Sequence, residues 1–434
     1  MALRRAPTPA PAESEGHVSI KAIRGMKDVM GTEVARWRLI EAVARKVFRA
    51  FGFSELRTPI LEKTELFARS IGQATDIVEK EMYTFRDRSG DSLTLRPEAT
   101  ASVVRSYLEH KIHRRPGPHK FFTIGPMFRH ERPQKGRLRQ FHQLDAEVLG
   151  DPGPQVDAEL MVMLTQLLQA LELDNVELVI NSLGCPVCRP DYRRALVGFF
   201  QDRTDQLCDD CRRRLEVNPL RVLDCKSEGC RAAAADAPAT IDYLCADCAD
   251  HYQEVKRLLE LSSVAFREDP RLVRGLDYYV RTTFEAIAGD LGAQNAVAGG
   301  GRYDPLVAEL GGEANGAIGF AAGIERLSLV MGAEPPTDRP ELFVAALGDQ
   351  ARDWVFPLVA ELRSAGLWVE MTSQDKSLKA QMRRANKLAA DAVLILGRSE
   401  LDAGRAIIKQ MADGSQQEIE LSQLGRAVRL LKRD

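Results

Sequence analysis

The chain has no surplus of charge. Of its 434 residues, 60 are Lys or Arg and 62 are Asp or Glu, a formal net charge of −2. A global basic field that would gather a polyanion is excluded, so any contact with nucleic acid has to use local patches. The chain also lacks an apolar run long enough to cross a bilayer, and its N-terminus lacks the apolar segment of a secretory signal. We expect a cytoplasmic protein with no membrane partner. Residues 1–17 are Pro- and Ala-rich without periodicity and read as a disordered tail; Glu13 and Glu15 argue against a transit peptide. The glycine cluster at 298–304, AGGGRYD, lacks the G-x-G-x-x-G register of a dinucleotide loop. Cysteine is sparse, eight in all, and in a reducing compartment these read as thiols or metal ligands before disulfides. The length allows two or three domains, each with its own core.

The most informative stretch is 121–150, FFTIGPMFRHERPQKGRLRQFHQLDAEVLG. It reads as two antiparallel strands joined by a basic loop. Alternation places Met127, Arg129 and Glu131 on one face of the first strand, and Phe141, Gln143, Asp145 and Glu147 on one face of the second. The opposite face, with Ile124, Phe128, Leu144, Ala146 and Val148, suits a core. Arg132, Lys135, Arg137 and Arg139 surround Gly136, more charge than a minimal turn needs and well suited to phosphate.

Upstream, Trp37, Ile40, Ala44, Val47 and Phe51 recur at helical spacing, with Thr32 placed to cap the helix and Gly52 to end it. A short strand, FSELR, and Pro59 follow. The segments MYTF and SLTL form a hairpin about DRSGD, which delivers RPEAT, Arg96 to Thr100. Glu98 and Thr100 can accept the donors of an ammonium group; Glu98 can equally cap a helix beginning near Ala99.

Downstream, 157–172 reads as a core helix and VELVINS as a buried strand. Four cysteine pairs then follow: Cys185/Cys188, Cys208/Cys211, Cys225/Cys230 and Cys245/Cys248. Two tetrahedral Cys₄ zinc sites would use all eight, with the combination of pairs left open. Beyond the linker at 332–340, the segments ELFVAAL, LWVEM and AVLILG alternate with helical stretches at 351–365 and 375–390. This indicates a small α/β domain whose second helix, with Lys376, Lys379, Arg383, Arg384 and Lys387, is strongly basic.

FRHERPQKGRLRQFHQ resembles motif two of the class II aminoacyl-tRNA synthetases, in particular the histidyl-tRNA synthetases. The likeness runs from RGMKD at Arg24 to the C-terminal domain. RGLDYY, Arg274 to Tyr279, and AGGGRYD resemble the two histidine-specific motifs, AIGFAAGIERL resembles motif three, and the helix at 32–51 with its strand and proline resembles motif one, which in that family builds a homodimer interface.

The resemblance implies a class II synthetase fold: an α+β catalytic domain (18–183 and 264–331) with a mixed, mainly antiparallel sheet, a helical cysteine-rich insertion (184–263) that grips the acceptor end of tRNA, and an α/β anticodon-binding domain (341–434). It implies that L-histidine reacts with ATP and Mg2+ to give histidyl-adenylate, and that histidine tRNA then takes the histidyl group. Arg129 and Arg274 would approach the α-phosphate, Arg326 the γ-phosphate; Phe141 would stack the adenine and Glu131 orient ATP. Glu98 and Thr100 would hold the α-amino group, while Gln143, Glu147, Tyr278, Tyr279 and Tyr303 would line the histidine pocket. Arg132 and Gln134 would read the tRNA end, and zinc in the insertion would be structural. Asp145 departs from the family pattern, where a small residue is common, and leaves open whether Glu147 alone reads the imidazole.

Two other classes compete. A regulatory paralogue that binds histidine and a biosynthetic transferase would lack the C-terminal domain, which this chain keeps along with RGLDYY. A non-catalytic accessory protein on the same fold would be expected to lose Arg129, Arg274 or Arg326, and all three are present.

Overall fold

A computed structural model describes residues 20–429 except 73, 74, 76, 290–294, 333, 334, 336, 337 and 375. The expected disordered tail at 1–17 lies outside the described residues, as does part of the expected linker at 332–340. The chain divides into two compact units, Met1–Pro335 and Pro336–Asp434; the cysteine-rich region belongs to the first.

The first unit is built on an eight-stranded sheet. In spatial order its strands are Ser54–Glu55, His119–Phe128, Gln140–Leu149, Ala317–Gly323, Ala296–Arg302, Val280–Ala288, Val176–Ser182 and Arg267–Glu268. The two edge pairings are parallel and the rest antiparallel. The sheet is therefore mixed and mainly antiparallel, as expected. The long hairpin pairs Met127 with Phe141, Gly125 with Gln143 and Thr123 with Asp145. Period-two alternation sends Phe122, Leu144, Ala146 and Val148 into the main core, leaving Gln143 and Asp145 on the other face. Phe128 does not join that core among the described residues.

Helices Thr32–Ala50 and Pro154–Ala170 cover the core face. The first buries Trp37, Ile40, Ala44 and Phe48, one stripe at i, i+3, i+4 spacing. Val47 and Phe51, expected on that stripe, pack only partly buried against it, and Phe48 takes the central place. Thr32 does not cap this helix: it is the first helical residue, after Gly31 at φ 62°. Gly52, at φ 80°, ends it as expected, a left-handed turn that favours glycine. The hairpin Tyr83–Arg86 with Ser92–Leu95 forms as expected; Asp87 accepts the backbone N–H groups of Ser89 and Asp91 across its turn.

One buried charge was not anticipated. Arg302, at the end of the glycine-rich strand, is 0 % exposed. Its guanidinium forks onto Asp157 of helix Pro154–Ala170 and donates to Asp304 and to the carbonyls of Asp151 and Gly153. All five donors find acceptors, which makes such burial tolerable. Asp157 also accepts from His251 Nε2 at 2.8 Å, on helix Ala246–Leu261. Burial opposes ionisation of Asp157, but His251 and Arg302 outweigh it and hold its carboxyl below the usual range.

The second unit has a five-stranded sheet in the order Val369–Met371, Leu342–Ala346, Ala392–Leu396, Arg405–Gln410, Gln416–Glu420. The first three strands are the three expected, and they pair in parallel; the final antiparallel hairpin was not read from the sequence. The basic helix is Leu378–Lys387, anchored by buried Gln381 and Ala385, with all five expected basic residues exposed. Gln381 donates to the carbonyl of Ala346.

Arg302→Leu should destabilise the first unit by about 3–5 kcal/mol, because it leaves the buried Asp157 carboxylate without its principal partner. Urea unfolding followed by tryptophan fluorescence checks this, and an unchanged midpoint would refute it.

Candidate active site

A cavity opens on the polar face of the long hairpin. Besides Arg137 of the hairpin loop, three arginines reach it from three separate elements. Arg129 follows the first hairpin strand, donates to the carbonyl of Pro97 at 2.8 Å and lies 5.3 Å over the Phe141 ring. Arg274 comes from the irregular segment before strand Val280–Ala288, lies 5.5 Å from the centre of the Tyr279 ring and is ion-paired to Glu285. Gly299 makes room for it, since a Cβ there would stand 2.4 Å from the guanidinium. Arg326, on helix Ile324–Val330, donates to the carbonyl of Gly136 at 3.1 Å. Burial pulls the Arg326 guanidinium below its ordinary pKa, with Arg137 adding to the effect.

Acceptors and phenols line the same cavity. Glu98, Thr100, Gln143, Asp145, Tyr278, Tyr279 and Tyr303 all border the cavity. Glu98 lines the cavity, and it accepts the backbone N–H groups of Thr100 and Ala101 at 2.8 and 3.0 Å at the start of helix Thr100–Glu109, as its capping reading expected. Burial raises its carboxyl above the usual range in spite of those bonds.

Glu147 is placed differently from the expectation that it faces the ring directly. It does not line the cavity. Its carboxyl accepts from Thr100 Oγ1 at 2.6 Å and from the Tyr303 hydroxyl, and lies against Gly319, where any Cβ would overlap it. Glu147 thus reaches the cavity only through Thr100 and Tyr303. Asp145 does border the cavity; it is buried, and its Oδ2 has no hydrogen-bond partner. Burial, then the neighbouring Glu147, pushes its carboxyl well up, against the pull of Arg96 and Arg129.

Glu131 and Phe141 line the outer cavity with Arg129. Arg132 and Gln134 do not: both are exposed on the loop beyond it. That loop closes more tightly than its charge suggested. Gln134 and Arg137 exchange backbone hydrogen bonds around Lys135 and Gly136, with Gly136 at φ 71°. Arg137 turns inward to an ion pair with Glu131. Sequence reasoning missed Glu285, the partner of Arg274. Its place one alternation step from Thr283 in a strand was the available signal.

The cysteines gather into two tetrads, Cys185/Cys188/Cys245/Cys248 and Cys208/Cys211/Cys225/Cys230, with the four sulfurs of each within 4.8 Å of one another. None is in a disulfide.

A mixed, mainly antiparallel sheet whose cavity gathers convergent arginines and buried acceptors has the build of a class II aminoacyl-tRNA synthetase. The family model for histidyl-tRNA synthetase matches residues 25–327, and that for an anticodon-binding domain matches 341–430. The chain is 54% identical over 404 residues to a histidine–tRNA ligase of Trichlorobacter lovleyi, covering 93% of this chain and 96% of that protein. It is likewise 54% identical over 403 residues to one of Geobacter sulfurreducens, covering 93% and 98%. Among solved structures, apo histidyl-tRNA synthetase of S. aureus superposes with a TM-score of 0.80 at 35% identity, covering 95% of this chain and 100% of that one. The chain belongs to the histidyl-tRNA synthetase family, and so to the ATP-dependent ligases that join an amino acid to tRNA.

Glu147 has a measurable consequence. Burial first, against the bonds from Thr100 and Tyr303, pushes its carboxyl up to about 8 from 4.5. The folded value lies above the unfolded one, so the folded state holds this proton more tightly. That contribution to stability is complete below about pH 4.5 and lost as pH rises through about 8. Glu147→Gln should therefore lessen the fall in urea midpoint between about pH 5 and pH 8; an unaltered pH profile would contradict the protonated assignment.

Proposed function

We propose that this cavity condenses L-histidine with ATP to histidyl-adenylate and passes the histidyl group to the 3′ end of histidine tRNA. The observation that carries the reading is the convergence of Arg129, Arg274 and Arg326, from separate elements, on one cavity that is also lined by the buried acceptors Glu98 and Asp145. The histidine carboxylate attacks the α-phosphate, and the bond to pyrophosphate breaks. No protein nucleophile is needed. Positioning and charge stabilisation suffice for such a transfer.

Arg129 and Arg274 approach the α-phosphate from different sides, each preset by its own anchor, Pro97 O or Glu285. Arg326 meets the outgoing pyrophosphate. Phe141 offers one ring face to the adenine, and Glu131 orients ATP. Besides Glu285, which is paired with Arg274, the cavity is lined alongside the arginines by the carboxylates of Glu131 and Glu325, hard oxygen donors that suit Mg2+. When bound, that ion screens the charge of the phosphates. Glu98 and Thr100 take the α-ammonium.

For the imidazole a second reading is favoured by a specific observation. Asp145 is a buried cavity carboxylate beside the phenols whose Oδ2 has no hydrogen-bond partner, whereas Glu147 is committed to Thr100 and Tyr303 and Glu131 is ion-paired to Arg137. A buried acceptor without a partner costs about 1–3 kcal/mol unless a ligand supplies the donor. Asp145 takes a ring N–H; Tyr278, Tyr279 and Gln143 complete the pocket; Glu147 fixes Thr100 and Tyr303 from behind.

Arg132 and Gln134 present the loop to the tRNA end, and the basic helix Leu378–Lys387 faces anticodon-arm phosphates. Zinc in the cysteine tetrads is structural. The enzyme works as a cytoplasmic homodimer, with the helix Thr32–Ala50 at the interface. Among the described residues no helix is long and apolar enough to cross a membrane. Histidine-dependent exchange of labelled pyrophosphate into ATP, run with each amino acid in turn, tests the central reading; exchange with another amino acid, or none, would refute it.

Arg274→Ala should lower the rate of adenylate formation about 10²–10³-fold while changing ATP affinity far less, since its charge counts mainly in the transition state. Equal losses in both would remove that role.

Asp145→Ala should raise the histidine KM at least about tenfold and leave the ATP KM nearly unchanged, with discrimination against ring-methylated histidines relaxed. A normal histidine KM would return ring recognition to Glu147.

A further inference from the structure

The two cysteine tetrads have sulfur spacings that already suit a metal. In the first, Cys185 Sγ lies 3.8 Å from Cys188 Sγ and 3.8 Å from Cys245 Sγ, and Cys188 Sγ lies 4.0 Å from Cys248 Sγ. In the second, Cys208 Sγ lies 3.9 Å from Cys225 Sγ. Four thiolates around zinc at bond lengths of about 2.3 Å stand about 3.8 Å apart along the tetrahedron's edges. Backbone N–H groups also point at sulfur: that of Cys185 donates to Cys188 Sγ at 3.2 Å and that of Cys208 to Cys230 Sγ at 3.1 Å.

The tetrads occupy different places in the fold. Cys185 and Cys188 follow directly on the central-sheet strand Val176–Ser182, and Cys245 and Cys248 open the helix Ala246–Leu261. That helix puts Tyr252, Val255 and Leu259 into the main core. The first tetrad therefore joins the point where the insertion leaves the catalytic sheet to the point where it returns.

The second tetrad is assembled wholly inside the insertion. Cys208 and Cys211 start the helix Asp209–Val217, while Cys225 and Cys230 bracket the turn into the six-residue helix Glu228–Ala233. So short a helix is not stable by itself. Its Arg231, with Lys226 and Cys225, lines a wide cleft whose opposite wall is the segment that carries Arg271 and Arg274. The cleft runs into the active cavity, with which it shares Arg129, Arg137, Arg274 and Arg326. Among the described residues seven Lys or Arg and four Asp or Glu line it, although the chain as a whole carries 60 against 62. This is a local basic track leading to the reaction centre, of the kind that guides a single-stranded nucleic acid.

We propose that the tetrads are two separate zinc centres with different tasks. The Cys185/Cys188/Cys245/Cys248 zinc clasps the base of the insertion. The Cys208/Cys211/Cys225/Cys230 zinc makes the segment 223–231 rigid, so that Lys226 and Arg231 are held out to the phosphates of the single-stranded 3′ end of tRNA. The inference rests on the reading of the cysteines as zinc ligands given above. Asp224 holds the Lys226 ammonium at 2.7 Å, which fixes where it stands.

The test uses full-length protein purified without chelator, zinc counted by atomic emission, and a histidine tRNA transcript. Wild type should carry two zinc ions per chain. Cys230→Ser should carry one and raise the tRNA KM in aminoacylation tenfold or more, while the histidine and ATP KM values in pyrophosphate exchange move less than threefold. Arg231→Ala, which touches no sulfur, should keep both ions, raise the tRNA KM and weaken its dependence on salt. Wild type free of zinc, with all eight thiols titrating, overturns the zinc reading itself. Two ions in wild type with a normal tRNA KM in Cys230→Ser overturns only the task given to the second centre. If Cys230→Ser loses both ions or fails to fold, Arg231→Ala decides, and a normal tRNA KM there overturns the basic track.

Discussion

The ion pair between Arg302 and Asp157 is the interaction on which the rest of the catalytic unit leans. Both side chains are fully buried. Through them the glycine-rich strand Ala296–Arg302 is tied to helix Pro154–Ala170, and through His251 to the helix by which the insertion returns. The next residue, Tyr303, donates to Glu147, which in turn holds Thr100. A single chain of polar contacts thus runs from the back of the sheet to the end of the cavity where the amino acid would lie. Burying an ion pair is costly unless every donor is met, and here the carbonyls of Asp151 and Gly153 and the carboxyl of Asp304 complete the set. Asp304 also accepts the N–H of Ala317, so the strand that follows in space is registered by the same cluster.

The cavity holds charges of both signs, and several are paired within it, Arg274 with Glu285 and Arg137 with Glu131. Desolvation there makes each charge count for more than it would in water. Its arginines are not left to float. Arg274 is held by Glu285, Arg129 by the carbonyl of Pro97 and Arg326 by that of Gly136. Rigid, prepaired charges need little reorganisation when a transition state forms. The glycines serve this packing. Gly299 lets the Arg274 guanidinium lie against the strand, and Gly319 leaves room for the Glu147 carboxyl. The glycines of AGGGRYD likewise accommodate the protein's own side chains and neighbouring backbone.

Much of this was legible in the sequence because it depends on short-range periodicity. Alternation through 121–150 placed Gln143, Asp145 and Glu147 on one face and Leu144, Ala146 and Val148 on the other, and the core confirms it. The stripe Trp37, Ile40, Ala44 marked a covering helix, though it was Phe48, and not Val47 or Phe51, that completed the buried side. Helix ends were read less well. Thr32 looked like a cap, but Gly31 supplies the turn that precedes the helix. The C-terminal hairpin Arg405–Gln410 with Gln416–Glu420 escaped notice because its second strand, QQEIE, is largely exposed and carries little apolar alternation.

By itself the sequence determined the long hairpin at 121–150, the covering helices and the presence of four cysteine pairs, since each of these is encoded by residue type at fixed local spacing; the roster of arginines and phenols around the cavity came from the family resemblance of its motifs. Tertiary structure alone decided which pairs of cysteines meet, that Arg302 finds Asp157 across 145 positions of chain, that Glu285 meets Arg274, and that Asp145 and not Glu147 borders the cavity. Alternation tells which face a side chain leaves from but not how deep the neighbouring strand lets it sit. That depth is set by packing between elements distant in sequence, where one Cβ more or less, as at Gly319, determines which carboxyl is covered and which is left to meet a ligand.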